Sequence, residues 1–233
     1  MINIYIITPF PDIVESVLST SILGKAIDRK KVIYNVINLF EYRKSDSERI
    51  DDYPFGGGAG MILKSEPIIE ALGSIKEDFS RVIFPTPDGN LLNHDLSLDL
   101  SKEKTIIFIC GHYKGVDQRI RDKYVTDEIS IGDYVLTGGE LPSLVIIDSL
   151  VRLIPGVLNT YESAEEDSFF NQLLDGPHYT RPRKVEDMNV PDVLLSGNHQ
   201  EIKKWFLMQR EDKTKIRRLD LWNKYKSLKK NRG

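Results

Sequence analysis

The chain has 233 residues, of which 40% are hydrophobic and 29% are charged, and its formal net charge is −3. This composition is enough for a buried core in one domain or two small ones, and the single cysteine, Cys110, excludes an internal disulfide and a multi-cysteine zinc site. No apolar run reaches the roughly 18 residues of a membrane span, and the first residues lack the basic segment and cleavage site of a signal peptide. We therefore expect a cytoplasmic protein without a membrane segment.

The first half of the chain alternates between predicted strands and helices, which indicates an α/β fold with a parallel sheet. Ile2–Thr8 is an apolar, β-branched run that predicts the first strand, and Asp12–Arg29 has the apolar spacing of one helix. The later predicted elements are strands at Val32–Leu39, Arg81–Phe84, Thr105–Cys110 and Val125–Ile131, and helices at Ser65–Ile75 and Pro142–Leu153. Gly111 directly follows a buried strand, where a parallel α/β sheet usually places its ligand.

The second half of the chain changes character after residue 158. Residues 159–191 are acidic, contain proline and show little hydrophobic periodicity, which predicts an interdomain linker. His199–Gln209 and Lys213–Lys230 have the pattern of helices. The predicted division is therefore a first domain at 1–158, a linker at 159–191 and a small helical domain at 192–233.

Charge is divided unevenly between the two ends of the chain. Residues 199–233 contain 12 Lys and Arg against four Asp and Glu, so this segment carries +8 and the preceding residues carry −11. A solvated helix face would explain a basic helix by itself. Aromatic residues lie among the basic ones, however, and they favour a segment that binds a polyanion such as nucleic acid. These aromatic residues are Trp205, Phe206, Trp222 and Tyr225.

Two glycine-rich stretches are candidates for a ligand site. Gly56–Gly60 lacks the Lys-Ser/Thr of a phosphate-binding P-loop and the spacing of a dinucleotide fold. It is either a flexible turn or a backbone surface that a base or a phosphate approaches closely. Ser130–Pro142 is more specific, because its glycines bracket a short apolar run after a strand. Such a loop could surround an adenine ring with apolar side chains and offer backbone N–H and C=O groups to its edge.

Seven motifs occur together in a fixed order along the chain. They are FGGG at 55–58, CGHYKGVD at 110–117, SIGDYVLTGGELP at 130–142, IPGVL at 154–158, DSF at 167–169, PHYTRP at 177–182 and LSGNH at 195–199. In order and spacing the chain closely resembles the tRNA (guanine-N1)-methyltransferases, the TrmD family of the SPOUT superfamily. The resemblance covers essentially the whole chain, and no single motif would be sufficient for it.

The resemblance implies a parallel sheet domain that ends in a deep trefoil knot, with the methyl donor S-adenosylmethionine bound in the knot. It also implies a homodimer in which both subunits contribute to each active site. The cofactor-binding residues that it implies are Pro87, Gly111, Gly115, Ile131, Gly132, Asp133, Tyr134, Val135, Leu136, Gly138 and Gly139. For Ile131, Val135 and Leu136, core packing is an alternative role, and the same side chain can have both.

The implied reaction is methyl transfer to N1 of guanosine 37, next to the anticodon of tRNA. Guanine N1 carries a hydrogen and becomes a good nucleophile only when a general base removes it. The resemblance assigns this role to Asp167, although an acidic segment with Glu165 and Glu166 would by itself explain all three acids. It places Arg152 near guanine O6, where a cation stabilises the developing negative charge. The alternative for Arg152 is an ordinary salt bridge at a helix end.

The partner that the resemblance implies is the anticodon arm of tRNA. The implied tRNA-binding residues are Gly57, Gly58, His178, Arg181, Ser196, Asn198, Lys203, Lys204, Arg217 and Arg218. The last four belong to the basic segment at 199–233. Their alternative role is a solvated helix face that is paired with acids such as Glu201 and Asp220.

Two residues depart from the pattern of the family. Lys114 stands where we expect a glutamate, and His112 stands where we expect an arginine. An acid at position 114 could bind the cofactor or a magnesium ion, whereas lysine reverses the charge. We therefore predict no metal ligand, and Lys114 argues against magnesium as a second cofactor.

Two other functions are compatible with the same fold. An inactive RNA-binding protein of the SPOUT superfamily is disfavoured because Asp167 and Arg152 are both present. A SPOUT methyltransferase that acts on ribosomal RNA or on a ribose hydroxyl is disfavoured by the aspartate base and by the basic C-terminal segment. The leading prediction is therefore the tRNA methyltransferase.

Overall fold

A computed structural model describes residues 1–158 and 167–230 of the chain, which divides between Asn159 and Thr160 into two compact units. The first unit is an α/β domain with a five-stranded sheet in which every strand pair is parallel. This confirms the predicted α/β class with a parallel sheet, whereas the trefoil knot stays a prediction. Within the described residues, no helix combines the length and the apolar character that crossing a membrane requires.

Strands and helices alternate along most of the first unit, including two helices that the sequence analysis did not predict. Its strands are β1 (Ile2–Thr8), β2 (Val32–Asn38), β3 (Asp51–Asp52), β4 (Ile62–Leu63), β5 (Arg81–Leu91), β6 (Thr105–Ile109) and β7 (Asp127–Ser130). Its α-helices are α1 (Pro11–Leu18), α2 (Ser21–Asp28), α3 (Ser65–Ser74), α4 (His94–Leu100), α5 (Gln118–Tyr124) and α6 (Glu140–Val151). The sheet order is β2-β1-β6-β5-β7, and β3 and β4 form a separate antiparallel pair.

Helices cover both faces of the sheet, so its central strands are buried on both sides. Along β1, Ile4 and Ile6 face one core, which the helices α1, α2, α4 and α6 complete. Ile7 faces the other core, which α3 and α5 cover. All five residues of β6 are buried, as expected for a continuous apolar run in a parallel sheet.

The helix predicted at Asp12–Arg29 is in fact two helices, α1 and α2. Thr20 has an extended backbone, and Ser21 has a positive φ of 52°. The hydroxyls of Ser19 and Thr20 donate hydrogen bonds to carbonyl oxygens of the preceding turn, which competes with helix continuation. The apolar spacing runs through the break because both helices pack on the same core, so the periodicity could not reveal it.

A bulge in β5 shapes the edge of the sheet that faces the candidate site. Pro85 and Asn90 both pair with Ile129 of β7, so the residues between them leave the ladder. Gly89 lies in this bulge, and an added Cβ there would be 2.5 Å from the carbonyl carbon of Glu128. The strand therefore extends to Leu91, beyond the predicted end at Phe84, because its second part pairs again after the bulge.

The described part of the second unit contains a short hairpin, a 3-10 helix at Asp192–Leu195 and two α-helices. The hairpin is β8 (Lys184–Val185) and β9 (Met188–Asn189), and the helices are α7 (His199–Arg217) and α8 (Leu219–Lys230). α7 continues past the predicted break at 210–212, and the two helices contact each other. The continuation includes Thr214, which is fully buried and whose hydroxyl donates a hydrogen bond to the carbonyl oxygen of Arg210.

Part of the predicted linker packs against α7. Leu173 is buried, and the backbone N–H of Leu174 donates a hydrogen bond to Thr214 Oγ1 at 2.8 Å. Lys213 Nζ donates to the carbonyl oxygen of Asp175 at 2.8 Å. Polar groups of the helix thus bind this segment, and such contacts leave no hydrophobic periodicity in the sequence. Residues 159–166 of the predicted linker lie outside the described residues.

Candidate functional site

A cavity of about 330 Å³ opens at the carboxyl ends of β5, β6 and β7. This is the edge at which parallel α/β sheets usually bind ligands, and the volume is in the range of small-molecule sites, about 300–1,000 Å³. Most of the walls come from three segments, at 84–87 in β5, at 111–116 after β6 and at 129–139 without Asp133, at the end of β7 and after it. The cavity is therefore built by loops that a rigid sheet brings together.

Most of the residues that the family resemblance implied for cofactor binding line this cavity. Ten of the eleven line it, namely Pro87, Gly111, Gly115, Ile131, Gly132, Tyr134, Val135, Leu136, Gly138 and Gly139. The eleventh, Asp133, lies in the same loop but is exposed and does not line the cavity. Their role in cofactor binding stays a prediction, while their grouping around one cavity is a structural finding.

Glycines permit two walls of the cavity to meet. The backbone N–H of Gly139 donates a hydrogen bond to the carbonyl oxygen of Gly111. An added Cβ at Gly139 would be 2.7 Å from the Cα of Cys110, and one at Gly138 would be 2.3 Å from Nε2 of His112. Any other residue would separate these walls, because a Cβ does not tolerate such distances.

A buried polar network lies beside these glycines. Glu140, the first residue of α6, is only 3% exposed, and it accepts a hydrogen bond from Thr8 Oγ1 at 2.5 Å. Its other carboxyl oxygen is 2.7 Å from Nε2 of His112. An unsatisfied buried polar group costs about 1–3 kcal/mol, and a charged one costs more. Both oxygens of Glu140 have partners, so the network avoids this cost.

A second charged cluster fixes the wall formed by the bulge of β5. Arg121 donates to both carboxyl oxygens of Glu128 at 2.7 and 2.8 Å and to Asp88 at 2.8 Å. Its guanidinium carbon is 5.3 Å from the centre of the Phe84 ring. The hydrogen bonds to Glu128 raise the pKa of Arg121 above its ordinary value. The sequence analysis predicted neither this cluster nor the network of Glu140.

The glycine-rich loop at Gly56–Gly60 is attached beside the cavity. Gly57 and Gly58 have φ values of 79° and 114°, with no heavy atom within 4 Å of an added Cβ. Lys114 joins this loop to the wall at 111–116, since its backbone N–H donates to the carbonyl oxygen of Met61 at 3.0 Å. Its Cγ would lie 3.2 Å from a Cβ at Gly60.

The charge at this side of the cavity does not favour a metal ion. Lys114 lines the cavity with a positive charge, whereas magnesium is bound mainly by carboxylate oxygens and water. Throughout 1–158 and 167–230, no group of three or more His, Cys, Asp or Glu side chains is placed to hold a metal ion. The positive charge of Lys114 therefore argues against a magnesium ion at this side of the cavity.

The two predicted catalytic residues belong to different units. Arg152 follows the last residue of α6, whose first residue, Glu140, adjoins the cavity. A helix of 12 residues is roughly 18 Å long, so Arg152 lies at the end of α6 remote from the cavity. Asp167 is half-buried and begins the described part of the second unit.

Some predicted tRNA-binding residues have structural partners in the second unit. Asn198 caps α7, because its side-chain oxygen accepts hydrogen bonds from the backbone N–H groups of Gln200 and Glu201. Ser196 Oγ accepts from the backbone N–H of Asn198. Arg218 donates to Asp220 at 2.9 and 2.7 Å, and these hydrogen bonds lower the pKa of that carboxyl to about 2.

The other predicted tRNA-binding residues of this unit are more accessible. Lys203, Lys204 and Arg217 are exposed on α7. His178 is exposed and is 2.7 Å from a carboxyl oxygen of Asp175. Arg181 lines an open groove of the second unit, together with the residues Tyr179, Thr180, Pro182, Arg183, Val190, Leu194 and Leu195. The accessible cations therefore occur both on α7 and in this groove.

An exposed apolar face lies on the first unit where α1 packs against α6. On α6, Leu141 and Val145 are 54% and 47% exposed, and on α1, Ile13 and Val17 are also exposed. The spacing of three or four residues places each pair on one side of its helix. Contiguous exposed apolar surface of this kind commonly marks an interaction site.

Comparison with known proteins gives one consistent family. The family model described as "tRNA (Guanine-1)-methyltransferase TrmD" matches residues 2–224. The chain is 50% identical over 225 residues to the tRNA (guanine-N(1)-)-methyltransferase of Oceanobacillus iheyensis, which covers 95% of this chain and 92% of that protein. Its identity to the protein of the same name from Staphylococcus carnosus is 50% over 220 residues, with 94% and 90% covered. For the protein of that name from Clostridioides difficile it is 47% over 224 residues, with 94% and 97% covered.

Proposed function

The chain belongs to the TrmD family of tRNA (guanine-1)-methyltransferases, and from this we propose that it transfers a methyl group from S-adenosylmethionine to N1 of guanosine 37 in tRNA. The observation that carries the proposal is the cavity at the carboxyl edge of the sheet. Ten residues that were predicted for the cofactor from sequence motifs line this single cavity. Residues that served only to pack the core would not be expected to surround one open site.

The residues around the cavity suit the chemical parts of S-adenosylmethionine. Ile131, Leu136 and Pro142 offer apolar surface to an adenine ring, while Gly111 and Gly115 leave backbone groups accessible to its polar edge and to the ribose. When it is bound, the cofactor supplies an electrophilic methyl group on a sulfonium. The trefoil knot that we propose for this domain rests on its membership of the family.

Asp167 is the proposed general base. Its carboxylate would accept the proton from guanine N1, which leaves that nitrogen able to take the methyl group that bound S-adenosylmethionine would supply. Arg152 stabilises the negative charge that spreads onto guanine O6 when the proton leaves. No step needs a metal ion, in keeping with the positive charge of Lys114 at the cavity.

We propose a homodimer in which each active site uses residues of both subunits. Pro142 of α6 lines the cavity, and Arg152 follows it by ten residues, or roughly 15 Å along the helix axis, which is farther than an arginine side chain reaches. We propose that a second copy of the chain packs on the apolar face of Leu141, Val145, Ile13 and Val17 and supplies its own Arg152 to this region. The same face would then be buried in the dimer.

The second unit is proposed to hold the anticodon arm. Lys203, Lys204 and Arg217 present positive charge on α7, and Arg181 adds one in the neighbouring groove. Such cations bind RNA mainly through its phosphates. The exposed glycines Gly57 and Gly58 of the first unit are proposed to approach the RNA closely, because no side chain shields their backbone. A tRNA partner agrees with the cytoplasmic location that the sequence predicts.

One experiment tests the proposed function. Purified protein is incubated with S-adenosylmethionine that carries a labelled methyl group and with unmodified tRNA, and the modified nucleoside and its position are then determined. We expect 1-methylguanosine at position 37. A labelled ribose, or a labelled base elsewhere in the tRNA, would contradict the proposal, and no transfer at all would favour an RNA-binding protein without activity.

A further inference from the structure

The network of Thr8, His112 and Glu140 joins three separate elements beside the cavity. Thr8 ends β1, His112 belongs to the segment after β6, and Glu140 begins α6. His112 itself lines the cavity, as do Gly111 before it and Gly139, which precedes Glu140. The network therefore connects the end of the first strand to the backbone of two cavity walls.

His112 also packs directly against the wall. Its Nε2 is only 2.3 Å from where a Cβ of Gly138 would be, and the backbones of the two residues form an antiparallel bridge. The ring centre of Phe10 is 4.7 Å from the imidazole. The backbone N–H of Phe10 donates to Thr8 Oγ1 at 2.9 Å. A displacement of the imidazole would therefore displace Gly138, which lines the cavity.

We infer that His112, Glu140 and Thr8 are positioning residues for the cofactor: they hold the backbone of Gly138 and Gly139 in the conformation that binds S-adenosylmethionine. The inference rests on the proposed function, because it takes that compound as the ligand of the cavity. The carboxyl group of Glu140 is buried, so the loss of either partner leaves a buried oxygen without its hydrogen bond. The start of α6 must then rearrange, and the glycine wall moves with it.

The test uses paired substitutions that differ only in whether a hydrogen-bond donor is kept. His112→Leu removes the donor, whereas His112→Gln keeps an N–H at a similar distance from the backbone. Thr8→Val removes the hydroxyl, whereas Thr8→Ser keeps it. Calorimetry measures the Kd of S-adenosylmethionine for each full-length variant without tRNA, and thermal unfolding measures its stability.

A control variant separates positioning from general stability. Val32→Ala removes buried volume at the amino end of β2, where Val32 pairs with Ile2, remote from the cavity at the carboxyl ends of the strands. It is expected to lower the melting temperature and to leave the Kd unchanged. A structural role of the network would have the same two consequences, whereas a positioning role changes the Kd as well.

We expect the Kd to rise by ~10-fold or more in His112→Leu and in Thr8→Val, and to stay within ~3-fold of wild type in His112→Gln and Thr8→Ser. Equal Kd values in all variants that retain the fold would overturn the inference and leave the proposed function intact. His112 lines the cavity and Thr8 does not, so the comparison of Thr8→Val with Thr8→Ser distinguishes positioning from direct contact with the ligand, and it also decides if His112→Leu does not fold. Failure of the wild-type protein to bind S-adenosylmethionine would overturn both.

Discussion

The backbone N–H of Gly139 donates a hydrogen bond to the carbonyl oxygen of Gly111 over 2.8 Å. It fastens the loop after β7 to the loop after β6, so that two walls of the cavity share a backbone contact. Cys110 lies directly behind this contact, 2.7 Å from where a Cβ of Gly139 would be. The shape of the cavity therefore depends on the absence of a side chain at one position.

Gly139→Ala is predicted to weaken binding of S-adenosylmethionine by ~10-fold or more, because the new methyl group collides with backbone atoms that cannot give way. Isothermal calorimetry measures the effect. Gly73→Ala is the matched control, since residue 73 is in α3 and nothing lies within 4 Å of an added Cβ. The control should bind the cofactor normally. Normal binding by Gly139→Ala would mean that this cavity is not the cofactor site.

Asp167→Asn is predicted to reduce the single-turnover rate of methyl transfer by ~100-fold or more, because an amide cannot accept the proton of guanine N1. The affinity for the cofactor should barely change. Glu165→Gln and Glu166→Gln serve as controls for the neighbouring acids and should keep near-normal rates. A fast Asp167→Asn variant, with a slow variant at either glutamate, would assign the base to another residue.

Val145→Asp is predicted to convert a dimer into monomers with little methyl transfer activity, because a charge on the apolar face opposes the pairing of two copies. Sedimentation equilibrium gives the mass. Ile69→Asp is the control, because Ile69 is exposed on α3, which covers the opposite face of the sheet. It should leave the mass and the activity unchanged. A wild-type protein that is monomeric and fully active would contradict the shared site.

Neutralising Lys203, Lys204 and Arg217 is predicted to weaken tRNA binding and to flatten its salt dependence. Each phosphate contact that is lost should reduce the slope of log K against log [salt] by a little under ~1 unit. Arg218 is not substituted, because its removal would also break the ion pair with Asp220, and the two effects on tRNA binding would not be separable. Unchanged affinity and slope would identify the three side chains as a solvated face.

The control for this experiment neutralises two exposed lysines of the first unit, Lys102 and Lys104. Both precede the amino end of β6, whereas the cavity opens at the carboxyl end of the same strand. Their removal should alter neither the affinity for tRNA nor the slope. Binding of S-adenosylmethionine should be normal in both sets of variants, since neither set lines the cavity.

The sequence predicts an element well where its pattern of apolar residues matches the burial of that element in the fold. β1 and β6 are continuous apolar runs because both faces of the sheet are covered. α4 and α5 went unpredicted because each has seven residues with few buried positions. Their N-caps, Asn93 and Asp117, accept hydrogen bonds from the first turn and would have been a usable sign of both helices.

The candidate site was predictable only in part, for a physical reason. Most residues that line the cavity belong to sequence motifs that lie in loops. Because these motifs resemble those of the family, the resemblance identified ten of the lining residues. The contact between Thr8 and Glu140 joins positions 132 residues apart. Neither residue has a local pattern that indicates its partner, so tertiary structure alone reveals the buried carboxylate and the two groups that satisfy it.

Methylation of two matched tRNA transcripts tests the central claim most directly. The transcripts differ only at position 37, where one carries guanosine and the other adenosine, and each is incubated with the protein and labelled S-adenosylmethionine. The account predicts that one methyl group is incorporated per molecule of the guanosine transcript, at N1 of that base, and none into the adenosine transcript. Equal incorporation into both transcripts would contradict it.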